Sequence, residues 1–226
     1  MAQPHDDHTG AAPASILDER LRRYLPPDLA EEVAADFGDP DALPGRMIEA
    51  FVHLAAARYT IATYLPRLLV QRLLQDRLES PWLRWVEGSL LFADLSGSTA
   101  LAERLGALGR EGIELVTAFL SDIFETMIQV VRDYGGDLVA FGGDALLVYF
   151  GDERHPRTAA RAALALQDAL HGYVRSVPGV GEFPMHLHVG VESGRMAFVS
   201  AGHAHAQHYS VLGDTVNGVA AAEGRA

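Results

Sequence analysis

The apolar positions of this chain fall into two regimes. From Ser15 to Gln75 they recur at helical spacing, with Leu21, Leu25, Leu29 and Val33 in one stripe and Ile48, Phe51, Val52, Ala55 and Tyr59 in a second. The stretch "GDPDALPG" separates the stripes. "YLPPDL" at Tyr24 is echoed by "YLPRLL" at Tyr64, each placing proline at the opening of an apolar helix. Residues 15–80 therefore read as a helical extension, a packing subdomain rather than a sensor. Residues 1–14 are polar and read as a disordered tail, in which His5 and His8 are solvated rather than metal-bound.

After "SPWLRWVEG" the pattern changes. Leu90 to Ala93 is a continuous apolar run, as in a strand buried on both faces. Thr99–Leu105 and Ile113–Val131 read as helices, the second with Leu115, Val116, Phe119, Ile123, Met127 and Val130 on one face. "YGGD" ends it with a glycine in the C-cap place. Leu138–Phe141 and Ala145–Phe150 are short strands around a Gly-Gly-Asp turn. Arg157–Val174 follows as a helix and Met185–Val191 alternates as a strand does, with further strands at Met196–Ser200 and His208–Leu212. The order β-α-β-β-α-β predicts an α+β, ferredoxin-like domain over residues 87–226.

Composition narrows the function classes. A net charge of −12 without a basic stripe argues against nucleic acid as partner. No cysteine is present, which removes disulfides and thiolate metal sites and suits a reducing cytoplasm. Apolar runs are broken by charges well short of a membrane span, and the amino terminus lacks the basic start and apolar core of a signal peptide. A cytoplasmic chain without a membrane partner is expected.

Two acidic residues stand out in this apolar frame. Asp94 ends the first strand in "LLFADLSGST", and Asp144 occupies the turn in "GGDLVAFGGDALLVYF". In a split βαβ plan the first strand and the central hairpin are sheet neighbours, so the two converge. Carboxylates held together repel unless a cation neutralises them, and neither motif contains Lys or Arg. Mg²⁺ takes carboxylate and phosphate oxygens together. The following "LSGST" enters a helix whose free amides suit a phosphate. Metal and anion sites side by side point to phosphoryl or nucleotidyl transfer. The plainer reading has Asp94 cap the helix and Asp144 serve only the turn.

"LLFADLSGSTALAERL", "GGDLVAFGGDALLVYF", "LHVGVESGRM" and "YSVLGDTVN" together resemble the successive blocks of the class III adenylate/guanylate cyclase catalytic domain, in order from about Glu87. The resemblance is closest to the first catalytic domain of the soluble, bicarbonate-responsive adenylyl cyclase type, with Pro81–Trp82 like that type's preceding segment. It implies closure of ATP, GTP being disfavoured, to the 3′,5′-cyclic monophosphate and pyrophosphate with two Mg²⁺ or Mn²⁺ ions. It places the metals on Asp94, Asp144 and the Leu95 carbonyl, and substrate against Ser96, Gly97, Ser98, Thr99, Gly143, Ser210 and Asn217. Asp94, Asp144 and Asn217 are the catalytic residues it implies, Asn217 orienting the ribose and Ser210 reading the base.

The family site forms between two cyclase domains, and this chain departs from the complementary half. Ala140 stands where the base-reading lysine is expected, and Ala221 where the transition-state arginine is expected. The implied partner is a second cyclase domain in cis or trans, or a homodimer partner. The rival is a non-catalytic cyclase-homology module that binds nucleotide or a partner. Diguanylate cyclase chemistry is disfavoured, because Ala145–Leu146 replace the acidic-aromatic pair after the turn. His203, His205 and His208 read as polar positions of a hairpin, with zinc as the alternative. The family carries a hairpin arm here, on which His205 would contact triphosphate. The family continues past "VNGVAAAEGRA" through a helix and more sheet, which implies a longer natural chain.

Overall fold

The computed structural model describes residues 22–36, 45–63, 65–75, 81–203 and 206–226. The chain divides into two compact units, Met1–Tyr64 and Leu65–Ala226.

The first unit pairs α1 (Pro27–Asp36) with α2 (Gly45–Thr63). The Pro26 carbonyl accepts the amide of Ala30 at 2.9 Å, so the proline caps α1 while lacking an amide of its own to satisfy. Leu25, Leu29, Ala30 and Val33 bury against Ala50, with Leu54 packed alongside. The first expected stripe is thus core where it is described; Leu21 lies outside the described residues. The second is not: Ile48, Phe51, Val52 and Tyr59 are exposed, and α2 turns its Ala50–Leu54 face to α1 instead. Periodicity marked an apolar face there, but not the face that has a partner among the described residues.

The second unit opens with α3 (Arg67–Gln75), where the Pro66 carbonyl accepts the Val70 amide at 3.0 Å, the same device as at Pro26. Then come β1 (Trp82–Ser96), α4 (Ser98–Gly106), α5 (Arg110–Asp133), β2 (Asp137–Gly142), β3 (Ala145–Phe150), α6 (His155–Ala169), β4 (Val174–Val177), β5 (Gly181–Pro184), β6 (His186–His203), β7 (Ala206–Leu212) and α7 (Asp214–Glu223). The main sheet has the order β2-β3-β1-β6-β7, antiparallel throughout. This is the expected βαββαβ arrangement, extended by β7.

Three elements differ from the sequence expectation. β1 runs 15 residues because β6 pairs with its whole length, Trp82↔Ser200 to Ser96↔His186, whereas β3 covers only Ser89–Asp94. The two strands expected at Met185–Val191 and Met196–Ser200 are one strand, β6, for the same reason. The helix expected to reach Val174 stops at Ala169, and Val174 instead starts the small β4–β5 hairpin. That hairpin contributes Val177 and Phe183 to the core, with strands too short to show a period.

Each face of the main sheet has its own core. Leu91, Ala93 and Leu95 of β1 meet Leu101 and Leu105 of α4, Ile123 and Met127 of α5, and Ala162 and Leu166 of α6. On the other face Leu90, Tyr149, Met196, Phe198 and Val211 meet Val219 of α7, with Leu68 of α3 packed alongside. The alternation of β1 divides its residues between these two cores. Asp137, buried at the start of β2, holds α3 in place: its carboxylate accepts the amides of Arg67 at 2.7 Å and Leu68 at 3.2 Å. The Arg67 guanidinium in turn donates to the carbonyls of Gly135 and Gly136.

Candidate active site at the end of the central strand

β1 delivers Asp94 to the rim of the sheet between two neighbours. In register, Asp94 faces Ala145 of β3 on one side and His188 of β6 on the other. Asp144 lies in the turn just before Ala145, and the Ser98 hydroxyl links its carboxylate to the Leu95 carbonyl. The β2–β3 loop is only two residues long, Gly143 and Asp144, because Gly142 already pairs with Ala145. Gly143 carries a φ of 72°, and a glycine in that position fits a two-residue turn matched to strand twist. Asp94 and Asp144 are both half-buried, and among the described residues neither has a salt-bridge partner.

The turn from β1 into α4 completes the rim. Gly97 has a φ of 97°, and a Cβ there would lie 2.6 Å from the Pro184 carbonyl oxygen, so position and conformation both require glycine. α4 starts at Ser98 without a side-chain cap, and its first helical bond runs from the Leu101 amide to the Gly97 carbonyl at 3.1 Å. The amides of Ser98, Thr99 and Ala100 therefore have no partner within the helix. Thr99 is exposed, and Ser96 is half-buried with its hydroxyl 3.4 Å from the His186 carbonyl. Ser98 points inward: its hydroxyl hydrogen-bonds the Asp144 carboxylate and lies 3.2 Å from the Leu95 carbonyl oxygen.

Asp94, Leu95, Ser96, Gly97, Ser98, Thr99, Gly143 and Asp144 thus gather at one end of β1. Two carboxylates and a backbone carbonyl are hard oxygen donors of the kind Mg²⁺ and Mn²⁺ take, so the residues present fit such ions. Ser210 lies elsewhere. It pairs with Val199, which pairs with Leu83, eleven residues along β1 from Asp94 and roughly 36 Å of strand away. Asn217, exposed on α7, is nearer: a Cβ on its neighbour Gly218 would lie 2.8 Å from Glu192, whose partner in register is Leu90. Ala140 is exposed on the edge strand β2, and Ala221 is exposed one turn beyond Asn217. His205 lies outside the described residues, and the three-histidine zinc alternative with it.

Two features of the rim escaped the sequence reading. The inward turn of Ser98 has no local signal, since the sequence pattern around it is that of a helix start. His188 read as one polar position of an alternating strand. Only the β1–β6 register places it opposite Asp94, where its Nδ1 lies 2.9 Å from the Ala226 carbonyl oxygen beside a cavity of about 520 Å³.

Comparison with known proteins agrees with this fold. Adenylate cyclase 1 of Rhizobium meliloti (strain 1021) is 29% identical over 175 residues, covering 74% of this chain and 25% of that protein. Adenylate cyclase type 10 of Homo sapiens, the soluble type, is 26% identical over 169 residues, covering 74% of this chain and 10% of its own length. The chain thus spans a quarter or less of these relatives. A bacterial light-regulated adenylyl cyclase superposes with a TM-score of 0.61 at 20% identity, over 82% of this chain and 53% of that one. The guanylyl cyclase Cya2 superposes with a TM-score of 0.52 at 27% identity, over 63% and 71%. With residues 85–226 also matching the pattern of the adenylate and guanylate cyclase catalytic domain, which embraces the Asp94–Asp144 rim, the chain belongs to that family.

Proposed function

We propose that this chain is the metal-binding half of an adenylyl cyclase site, closing ATP to 3′,5′-cyclic AMP with release of pyrophosphate. The observation that supports this reading is the β1–β3 register, which sets Asp94 against Ala145, next to Asp144, with the Ser98 hydroxyl linking the Asp144 carboxylate to the Leu95 carbonyl. Asp94, Asp144 and the Leu95 carbonyl would hold two Mg²⁺ or Mn²⁺ ions. Such ions, when bound, lower the pKa of a ribose 3′-hydroxyl and neutralise the triphosphate. The free amides at the start of α4, with the Thr99 hydroxyl, receive phosphate oxygens, and Gly97 lets that backbone approach closely. In the reaction the 3′-oxygen would bond to the α-phosphorus as the bond from that phosphorus to the α,β-bridging oxygen breaks; the 3′-hydroxyl proton passes to water and pyrophosphate leaves with the bridging oxygen.

Ser210 is too far from its own Asp94 to read the base of a nucleotide held there, so Ser210 serves a site shared with a second cyclase domain, where Asn217 would orient the ribose. A homodimer would place Ala140 and Ala221 at that shared site, and these 226 residues contain no lysine at all. A complementary domain bearing the lysine and arginine, in cis or in trans, is the fitting partner.

The test is to assay the purified chain with Mg²⁺ or Mn²⁺, alone and mixed with a cyclase domain carrying that lysine and arginine, and to separate the products of ATP and GTP. The chain alone should be nearly inactive, and the mixture should make cyclic AMP from ATP faster than cyclic GMP from GTP. Robust cyclic AMP from the chain alone overturns the half-site reading, and equal or better use of GTP overturns the role of Ser210. The two alanines also favour a second reading, a regulatory module that binds nucleotide without turnover. Nucleotide binding with no product in any mixture would establish that reading instead.

A further inference from the structure

We propose that Ser98 is a positioning residue whose hydroxyl sets the Asp144 carboxylate for metal binding. This rests on the reading of Asp94, Leu95 and Asp144 as the metal ligands. Ser98 is the first residue of α4 and only 6% exposed, so its side chain is turned away from the solvent-facing rim where a triphosphate would lie. It faces the β2–β3 turn instead, bridging segments 46 residues apart in the chain. Among the described residues, Ser98 is the only side chain hydrogen-bonded to Asp144.

The chemistry of the hydroxyl determines what the bridge does. A serine has one proton, and its two acceptors here are a neutral carbonyl and a carboxylate. The charge-assisted bond is the stronger, so the proton goes to Asp144 Oδ2. The Leu95 carbonyl keeps its lone pairs, and Asp144 keeps Oδ1 and the remaining capacity of Oδ2. The bond thus aims Asp144 toward the β1–α4 corner without occupying the oxygens an ion needs. Asp144 otherwise hangs on a two-residue turn after Gly142 and Gly143, at the end of a hairpin whose outer strand is the sheet edge. A ligand left on such a turn must be ordered by the ion itself, and that ordering weakens binding. Removing a hydrogen-bond partner of a metal ligand lowers metal affinity by about 10–100-fold in comparable sites.

A purely structural serine at a helix start would change stability and leave metal affinity alone, which separates the two roles. Mn²⁺ affinity of the full chain is measured by electron paramagnetic resonance, without turnover, for the parent chain and for Ser98→Ala, Ser98→Thr, Ser98→Cys and Asp144→Asn. Ser98→Ala should bind Mn²⁺ about 10–100-fold more weakly, and Ser98→Thr, which keeps the hydroxyl, should bind within about threefold of the parent chain. Should Ser98→Ala fail to fold, Ser98→Cys carries the same contrast, because its thiol fills the space but donates weakly. Parent-like affinity in Ser98→Ala or, failing that, in Ser98→Cys, with affinity lost in Asp144→Asn, overturns the role of Ser98 and leaves the metal ligands standing. Parent-like affinity in Asp144→Asn, or no Mn²⁺ binding by the parent chain, overturns the metal reading itself and this inference with it.

Discussion

Helices α2 and α5 carry similar apolar stripes and meet opposite fates. On α5, Phe119, Ile123 and Met127 are 9%, 1% and 0% exposed, while on α2, Phe51 and Tyr59 are 72% and 75% exposed. The difference is what each helix has to lie on. α5 faces a sheet whose β1 and β3 present Leu91, Ala93, Leu146 and Val148 as a continuous apolar floor. Among the described residues, α2 meets the ten-residue α1, which covers only its Ala50–Leu54 face. An amphipathic period identifies a face that burial would stabilise, and the width of the opposing surface determines whether it is buried.

That contrast between the sheet unit and the helical pair leads to four measurements, the largest expected effect first. In the mixed assay, Asp94→Asn or Asp144→Asn should lower cyclase activity by at least about 10²–10³-fold while the melting temperature holds, because each removes charge stabilisation without removing packing. Activity within a few-fold of the parent chain would show that the rim of β1 is not where this unit does its chemistry.

Next in size is a matched pair of truncations followed by denaturant unfolding. Ile123→Ala on α5 should cost about 2–5 kcal/mol, and Phe51→Ala on α2 within about 0.5 kcal/mol. Equal losses would mean that the α2 stripe is covered after all.

Asp137→Ala tests the cap that ties α3 to the sheet unit, with an expected loss of about 1–2 kcal/mol. The loss should appear as earlier hydrogen exchange of the α3 amides. Unchanged exchange there would assign α3's position to Leu68 and to Arg72, which stacks over Trp82 at 4.3 Å.

The smallest effect concerns Tyr209, whose hydroxyl is buried with no hydrogen-bond partner among the described residues. Burial first, then Asp137 and Tyr149, push its pKa well above the usual tyrosine value near 10. The folded chain therefore keeps this proton at pH values where the unfolded chain has lost it, and stability falls as pH rises above about 10. Tyr209→Phe should leave stability unchanged or slightly higher at neutral pH and should flatten that alkaline decline. An undiminished decline would place its origin in other groups.

Much of the candidate site was legible in the sequence. "LLFADLSGST" and "GGDALLVYF" announce themselves because an acidic residue interrupts an otherwise apolar run, and a strand end and a hairpin turn are the places such a residue tolerates. The β-α-β-β-α-β order followed from changes of period, which are local. Ser98 was read with its neighbours as a substrate contact, since nothing in Ser96–Thr99 tells which side chain turns inward.

The amino-acid sequence by itself determined the βαββαβ order of the main elements, the helix starts at Pro26 and Pro66, and the two aspartates as the odd residues in apolar surroundings. Tertiary structure alone decided that β1 runs 15 residues, that Ser98 links Asp144 to the Leu95 carbonyl, that Ser210 lies level with Leu83, and that α2's stripe is exposed. The physical reason is range. Helix period and turn chemistry are set by residues three or four apart, whereas strand register and the covering of a face depend on segments as distant as Trp82 and Ser200.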